Sequence, residues 1–213
     1  TRTSMSRQPS LPRRALRFAA RKPLGAIGAA LVVLLVAVAA FGAWIAPYDP
    51  NEAHYDALFA APGSHYLLGT DNFGRDVLSR VIHGARVSLY VGLLSVLIGT
   101  TSGAALGLVS AYFGGRVDAA IQRVMDVLMT FPTLILALAV VAALGPSVNN
   151  VVIAVATVQI PRAARVVRSA ALGVKGRQFL EAARAIGAAD ARILLHHMAP
   201  NCIAPYVIIA TAD

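Results

Sequence analysis

Residues 23–47, "PLGAIGAALVVLLVAVAAFGAWIAP", pass without a single charged side chain, and that restricts the solvent this part of the chain can fold in. A helix rises about 1.5 Å per residue, so about 20 apolar residues cross the roughly 30 Å hydrocarbon core of a bilayer. Trp44 and Tyr48 stand where interfacial aromatics are favoured. The rival reading is a cleaved signal peptide, suggested by the small residues of "AAFGA". The run is too long for an ordinary signal core and further runs follow, so a retained span is expected.

Those further runs are "VSLYVGLLSVLIGTTSGAALGLVSAYF" at 87–113, "VLMTFPTLILALAVVAALG" at 127–145 and "VNNVVIAVATVQIPRAARVV" at 148–167. "CIAPYVIIATA" at 202–212 reads as the start of a fifth, so the chain is expected to be a fragment that ends in its fifth span. Pro132 and Pro161 are expected to kink their helices, which bundles in lipid tolerate. Only 14% of the 213 residues are charged, against about a quarter in soluble domains. The fold class that follows is all-α, a polytopic transmembrane helix bundle.

Charge distribution gives a direction. Residues 1–22 hold seven Lys/Arg and no acid, 47–86 hold three basic and five acidic residues, and 161–200 hold seven basic and two acidic. The positive-inside rule then puts a basic tail, 1–22, in the cytoplasm, with the first transmembrane helix at 23–47. It puts a loop at 48–86 outside and the polar segment of about 170–201 inside, within a core of 87–213. The net charge of +9 follows the ends of apolar runs, a topology signal and not a nucleic-acid footprint.

The chain carries no phosphate-binding G-x-x-x-x-G-K-[ST], so any ATP-driven work needs another subunit. No acid lies in the middle of an apolar run, which disfavours an ion-coupled carrier. His54, His65 and His83 have no metal-ligand spacing, and Cys202 is the single cysteine. No catalytic residue, metal ligand or cofactor is expected.

Three local patterns stand out. Gly99, Gly103 and Gly107 recur every fourth residue and open one helix face to close packing, in this chain's own bundle or across a subunit interface. "RDVLSRVIHGAR", 75–86, alternates at helical spacing and predicts an amphipathic helix along the outer surface before the second span. "EAARAIGAADARILLHHMAPN", 181–201, predicts a short helix opened by Glu181, a turn at Gly187, and a second helix from about Asp190 that Pro200 ends. That helix–turn–helix, smooth with alanine and flanked by Lys175, Arg177, Arg184 and Arg192, suits either a partner's groove or the inner leaflet.

The last stretch resembles the EAA loop of ABC importer permeases: E-A-A, three residues, Gly, nine residues, then I-x-L-P. The match falls on Glu181, Ala182, Ala183, Gly187 and Pro200, followed by Asn201. It departs at His197, where the general pattern has Ile, and at Ala199, where it has Leu. A histidine at that place resembles the dipeptide/oligopeptide/nickel branch. "LLGTDNFGRDVLSRVIHGARVSL" at 67–89, with Gly69, Thr70, Asp71, Gly74, Arg75 and Asp76, also resembles that branch's C-type subunit, as does "AYFGGRVDAAIQRVMDVLMTFPTLILAL" at 111–138. The resemblance implies the type I importer permease fold, about six spans when complete, in a bacterial inner membrane with the N-terminus cytoplasmic. It implies a non-enzymatic subunit working with a second permease, cytoplasmic ABC ATPases and an extracytoplasmic solute-binding protein. Residues 181–201 would then be the coupling to the ATPase, with Ala182 and Ala183 in close contact, Gly187 as the turn and Glu181 as a polar contact. The competing classes are an ion-coupled carrier or channel acting alone and a non-transporting membrane anchor.

Overall fold

The computed structural model describes residues 22–212, so the basic tail at 1–22 lies, but for Lys22, outside the described residues. Every regular element described is a helix; the β-type pairing among the described residues is an isolated bridge between Thr70 and Asp76. The chain divides into two compact units that meet in sequence at Leu89 and Tyr90.

In the first unit, α1 spans Pro23–Ile45. A proline at the first helical position carries no N–H to leave unpaired, which suits a helix start. Twenty-three residues reach about 34 Å, enough for a bilayer core. The helix is apolar all round, as a helix in lipid should be. Gly42, its buried residue, faces Ile82: a methyl group there would stand 3.0 Å from the Ile82 Cγ2.

Helix α2 runs from Val77 to Phe113, beginning in the first unit and continuing in the second. Asp76 caps it, its Oδ2 accepting the Ser79 amide at 2.8 Å and the Ser79 hydroxyl at 2.7 Å. The separate interfacial helix expected over 75–86 is not formed. Those residues, from Val77 on, are the first turns of the span helix itself. The physical reason is local: between the Asp76 cap and Phe113 there is no proline, and isolated glycines do not stop a helix.

In the second unit, α3 (Gly115–Thr130) and α4 (Thr133–Leu144) meet at 96° across Phe131 and Pro132. The run at 127–145 is therefore a corner and not one kinked span. Pro132 has no N–H to continue α3, and α4 alone reaches only about 18 Å. Helix α5 spans Val148–Lys175, longer than the apolar run at 148–167. The Ser147 Oγ caps it by accepting the Asn150 amide at 3.1 Å, and Pro161 lies buried inside it without ending it. Helices α6 (Gln178–Ala185), α7 (Asp190–Asn201) and α8 (Ile203–Ala212) follow, with α7 and α8 at 61°.

Helix α5 is the axis of this unit, touching α3, α4 and α8. It also lies against α2. A methyl group on Gly99 would stand 2.7 Å from the Ala156 carbonyl oxygen, and one on Gly103 2.5 Å from that of Ile160. Gly107 lies as tightly on the Ala164 carbonyl. The stripe thus brings two backbones of this chain together. Ser95, fully buried, donates to the Val152 carbonyl at 3.2 Å along the same seam. Among the described residues, α1, α2 and α5 are each long and apolar enough to cross a membrane. The bent pairs α3–α4 and α7–α8 bring the number to five if each counts as one span.

Candidate functional site

The segment after α5 is polar, compact and sharply turned. Helix α5 stops at Gly176, and α6 begins two residues later. In α6, Leu180 and Ala183 are three residues apart and so share a face. Both are buried in a cluster with Val167, Ala171, Ile193 and Met198. Glu181 and Ala182 lie on the exposed side. Of the alanine pair expected to offer a contact surface, Ala183 is therefore spent on the chain's own core at 5% exposure, and Ala182 remains open.

The turn is a complete Schellman motif. Gly187 has φ +77, its amide donates to the Arg184 carbonyl at 2.9 Å, and the Ala188 amide reaches back to the Ala183 carbonyl at 3.0 Å. No atom crowds the Gly187 α-carbon, so the glycine answers to backbone geometry alone. Helix α7 starts at Asp190 and widens into π turns over Ile193–Met198. Ile193 and Met198 anchor its inner face, while His196 is exposed and His197 half-buried. The Asn201 side-chain amide donates to the His197 carbonyl at 2.7 Å, and Pro200 is exposed in the last turn. Ile186, Gly187, Ala188, Arg192, His196 and His197 line one shallow recess on this segment.

Hydrogen bonds tie the segment to the bundle. The Tyr112 hydroxyl donates to Asp190 Oδ1 at 2.5 Å, and the Arg184 guanidinium stands 5.4 Å from the Tyr112 ring centroid. Lys175 donates to the Ala111 carbonyl at 2.9 Å. Arg168 on α5 grips Asp118 on α3 with both arms, Nε lying 2.6 Å from Oδ1. Away from this segment, a cleft of about 410 Å³ opens where α3 and α4 break beside Pro161, with Gln159 and Arg162 among its lining.

In the first unit, residues 69–76 make a tight knot. Gly69 and Gly74 have φ +74 and +72, and backbone carbonyls of Ala60 and His54 press where their side chains would be. Thr70 donates to the Ala57 carbonyl and accepts the Ala60 amide at 2.8 Å. Asp71 Oδ1 accepts the amides of Phe73 at 2.8 Å and Arg75 at 3.0 Å, and Oδ2 accepts the Arg75 Nε at 2.8 Å. Partial burial works against the charge, but those two amides and the guanidinium hold the Asp71 carboxyl below the usual carboxylate range. Asp76 is 1% exposed and caps α2.

Residues 103–212 match the family described as binding-protein-dependent transport system inner membrane component. The chain belongs to this family. Residues 10–62 match the N-terminal transmembrane domain of oligopeptide transport permease C. Its relatives include a putative peptide transport system permease protein of Brucella suis, 42% identical over 87% of this chain and 62% of that protein. A di/tripeptide transport system permease protein, DppC, of Pseudomonas aeruginosa is 43% identical over 88% of this chain and 64% of its own length. A glutathione transport system permease protein, GsiD, of Escherichia coli is 45% identical over 90% and 63%. The chain thus spans a little under two thirds of the length of these curated relatives. The family is one of membrane transport components, not an enzyme class, and it has the type I ABC permease fold, in agreement with the helical architecture above.

The sequence pointed to the helices and the Gly187 turn of this inner membrane component. It did not point to Tyr112, Asp118 and Arg168 as partners, because each bond closes a loop of 50 to 78 residues that no local pattern encodes. The available signal was a charge or hydroxyl standing at the end of an apolar run.

Proposed function

We propose that this chain is part of the permease subunit of an ATP-driven importer for di- or oligopeptides, or for nickel. In this reading the N-terminus is cytoplasmic, 48–86 faces outward, and the segment built on α6 and α7 faces the cytoplasm. There it docks on an ABC ATPase. A second permease completes the pore and an external binding protein delivers the solute. The observation that carries the reading is the α6–Gly187–α7 unit, whose inner face is cemented to the bundle through Leu180, Ala183, Ile193 and Met198. Its outer face presents Glu181, Ala182 and Arg192. Such a unit can take a push from outside without dissolving its own packing. The relatives named for peptide and glutathione transport favour a peptide-like solute. Uptake of a labelled dipeptide by cells holding the whole transporter tests this. Uptake should persist when the proton and sodium gradients are collapsed and ATP is maintained. Loss with the gradients would favour an ion-coupled carrier.

A further inference from the structure

The C-terminal end of α2 spreads its bonds over several elements. Ser110, Ala111 and Tyr112 are consecutive, and each is tied to a different element. The Ser110 hydroxyl donates to Asp118 on α3, which in turn is held by Arg168 of α5. The Ala111 carbonyl accepts from Lys175, the last residue of α5. Tyr112 donates to Asp190 on α7 and carries the Arg184 guanidinium of α6 over its ring. Ser110 and Ala111 are completely buried and Tyr112 is 8% exposed.

We propose that Tyr112 is a positioning residue: through Asp190 and Arg184 it is the strut by which movement of the α6–α7 unit is passed into α2. The proposal rests on the coupling role given to that unit above. Apolar packing through Leu180, Ala183, Ile193 and Met198 holds the unit on the bundle, but its driving force is non-directional and names no single register. The hydroxyl–carboxylate bond is short and charge-assisted, and it fixes where α7 sits along α2. Beyond Tyr112, α2 is packed closely on α5. Gly99, Gly103 and Gly107 hold its backbone against the carbonyls of α5, so a displacement at Tyr112 carries both helices. Asp118 and Arg168 extend the same displacement to α3.

The test uses the complete transporter assembled with its ATPase in lipid. A bimane fluorophore is placed at Leu195→Cys, which is 66% exposed on α7, or at Leu93→Cys, which is 70% exposed on α2. The emission change on adding a non-hydrolysable ATP analogue is read at each position. With Tyr112 present, both labels respond. In Tyr112→Phe, which keeps the ring, the response at 195 persists while that at 93 falls about ten-fold, the scale of one hydrogen bond to a charged group. Asp190→Ala should behave as Tyr112→Phe does. Asp190→Asn, which keeps an acceptor oxygen, should restore the response at 93. Asp190 is exposed, so this pair decides even where Tyr112→Phe fails to accumulate. An undiminished response at 93 in Asp190→Ala would overturn the strut while leaving the coupling role intact. No response at 195 with Tyr112 and Asp190 both in place would overturn the coupling role and the strut together.

Discussion

The Ala188 amide donates to the Ala183 carbonyl at 3.0 Å across a left-handed Gly187, so the end of α6 and the start of the turn to α7 are one hydrogen-bonded unit. The residues between them carry the turn, and the residues on either side carry the packing.

Gly187→Ala keeps the fold but places a side chain at φ +77, at a cost of about 1–2 kcal/mol. Gly187→Pro is worse, since proline requires a negative φ and has no amide to give Arg184. Quantified in membranes, Gly187→Ala should accumulate normally with uptake reduced several-fold. Gly187→Pro should still insert and lose uptake.

The glycine seam between α2 and α5 should be the least tolerant of bulk. Gly103→Val forces a side chain into the Ile160 carbonyl and should cost about 3 kcal/mol or more. Gly92→Ala, with no neighbour within 4 Å of the added methyl, should be neutral or stabilising by about 0.5–1 kcal/mol. Detergent-solubilised melting temperatures of the two variants separate these outcomes.

Asp76→Ala removes the cap of α2 and should destabilise by about 1 kcal/mol. Asp76→Asn keeps an acceptor for the Ser79 amide and should cost less. The difference should appear as faster amide exchange in the first turn after Asp76 for the alanine variant.

The Asp71 carboxyl is held below its ordinary range in the folded state. A depressed folded pKa means that the unfolded state binds the proton more readily. Its stabilising contribution is therefore fully present above about pH 4 and is lost as pH falls through the folded value. Cutting of the 46–76 segment by pepsin should rise as pH drops below about 4. In Asp71→Asn the segment should be cut at a rate that no longer changes with pH through this carboxylate.

Much of the fold was legible in the sequence because lipid imposes a simple rule. Apolar runs became α1, most of α2 and most of α5, the last of them taking in Arg162 and Arg165, and Asp190 and Gly187 marked real boundaries. Two features were not legible. The first turns of α2 look like a separate amphipathic helix because periodicity reports a face but not whether the helix stops. The Phe131–Pro132 corner looks like a kink because a proline in an apolar run gives no bend angle; here the bend is 96°. At the candidate site, Ala182 and Ala183 are identical in sequence. Only their helical phase relative to Leu180 separates the exposed one from the buried one.

The central claim is that the α6–Gly187–α7 unit joins this chain to an ATPase. The whole protein, tagged and extracted in mild detergent, should bring down an ABC ATPase and a second permease. The same preparation of Gly187→Pro should lose the ATPase while remaining in the membrane. A protein that purifies alone and still moves solute would contradict the account.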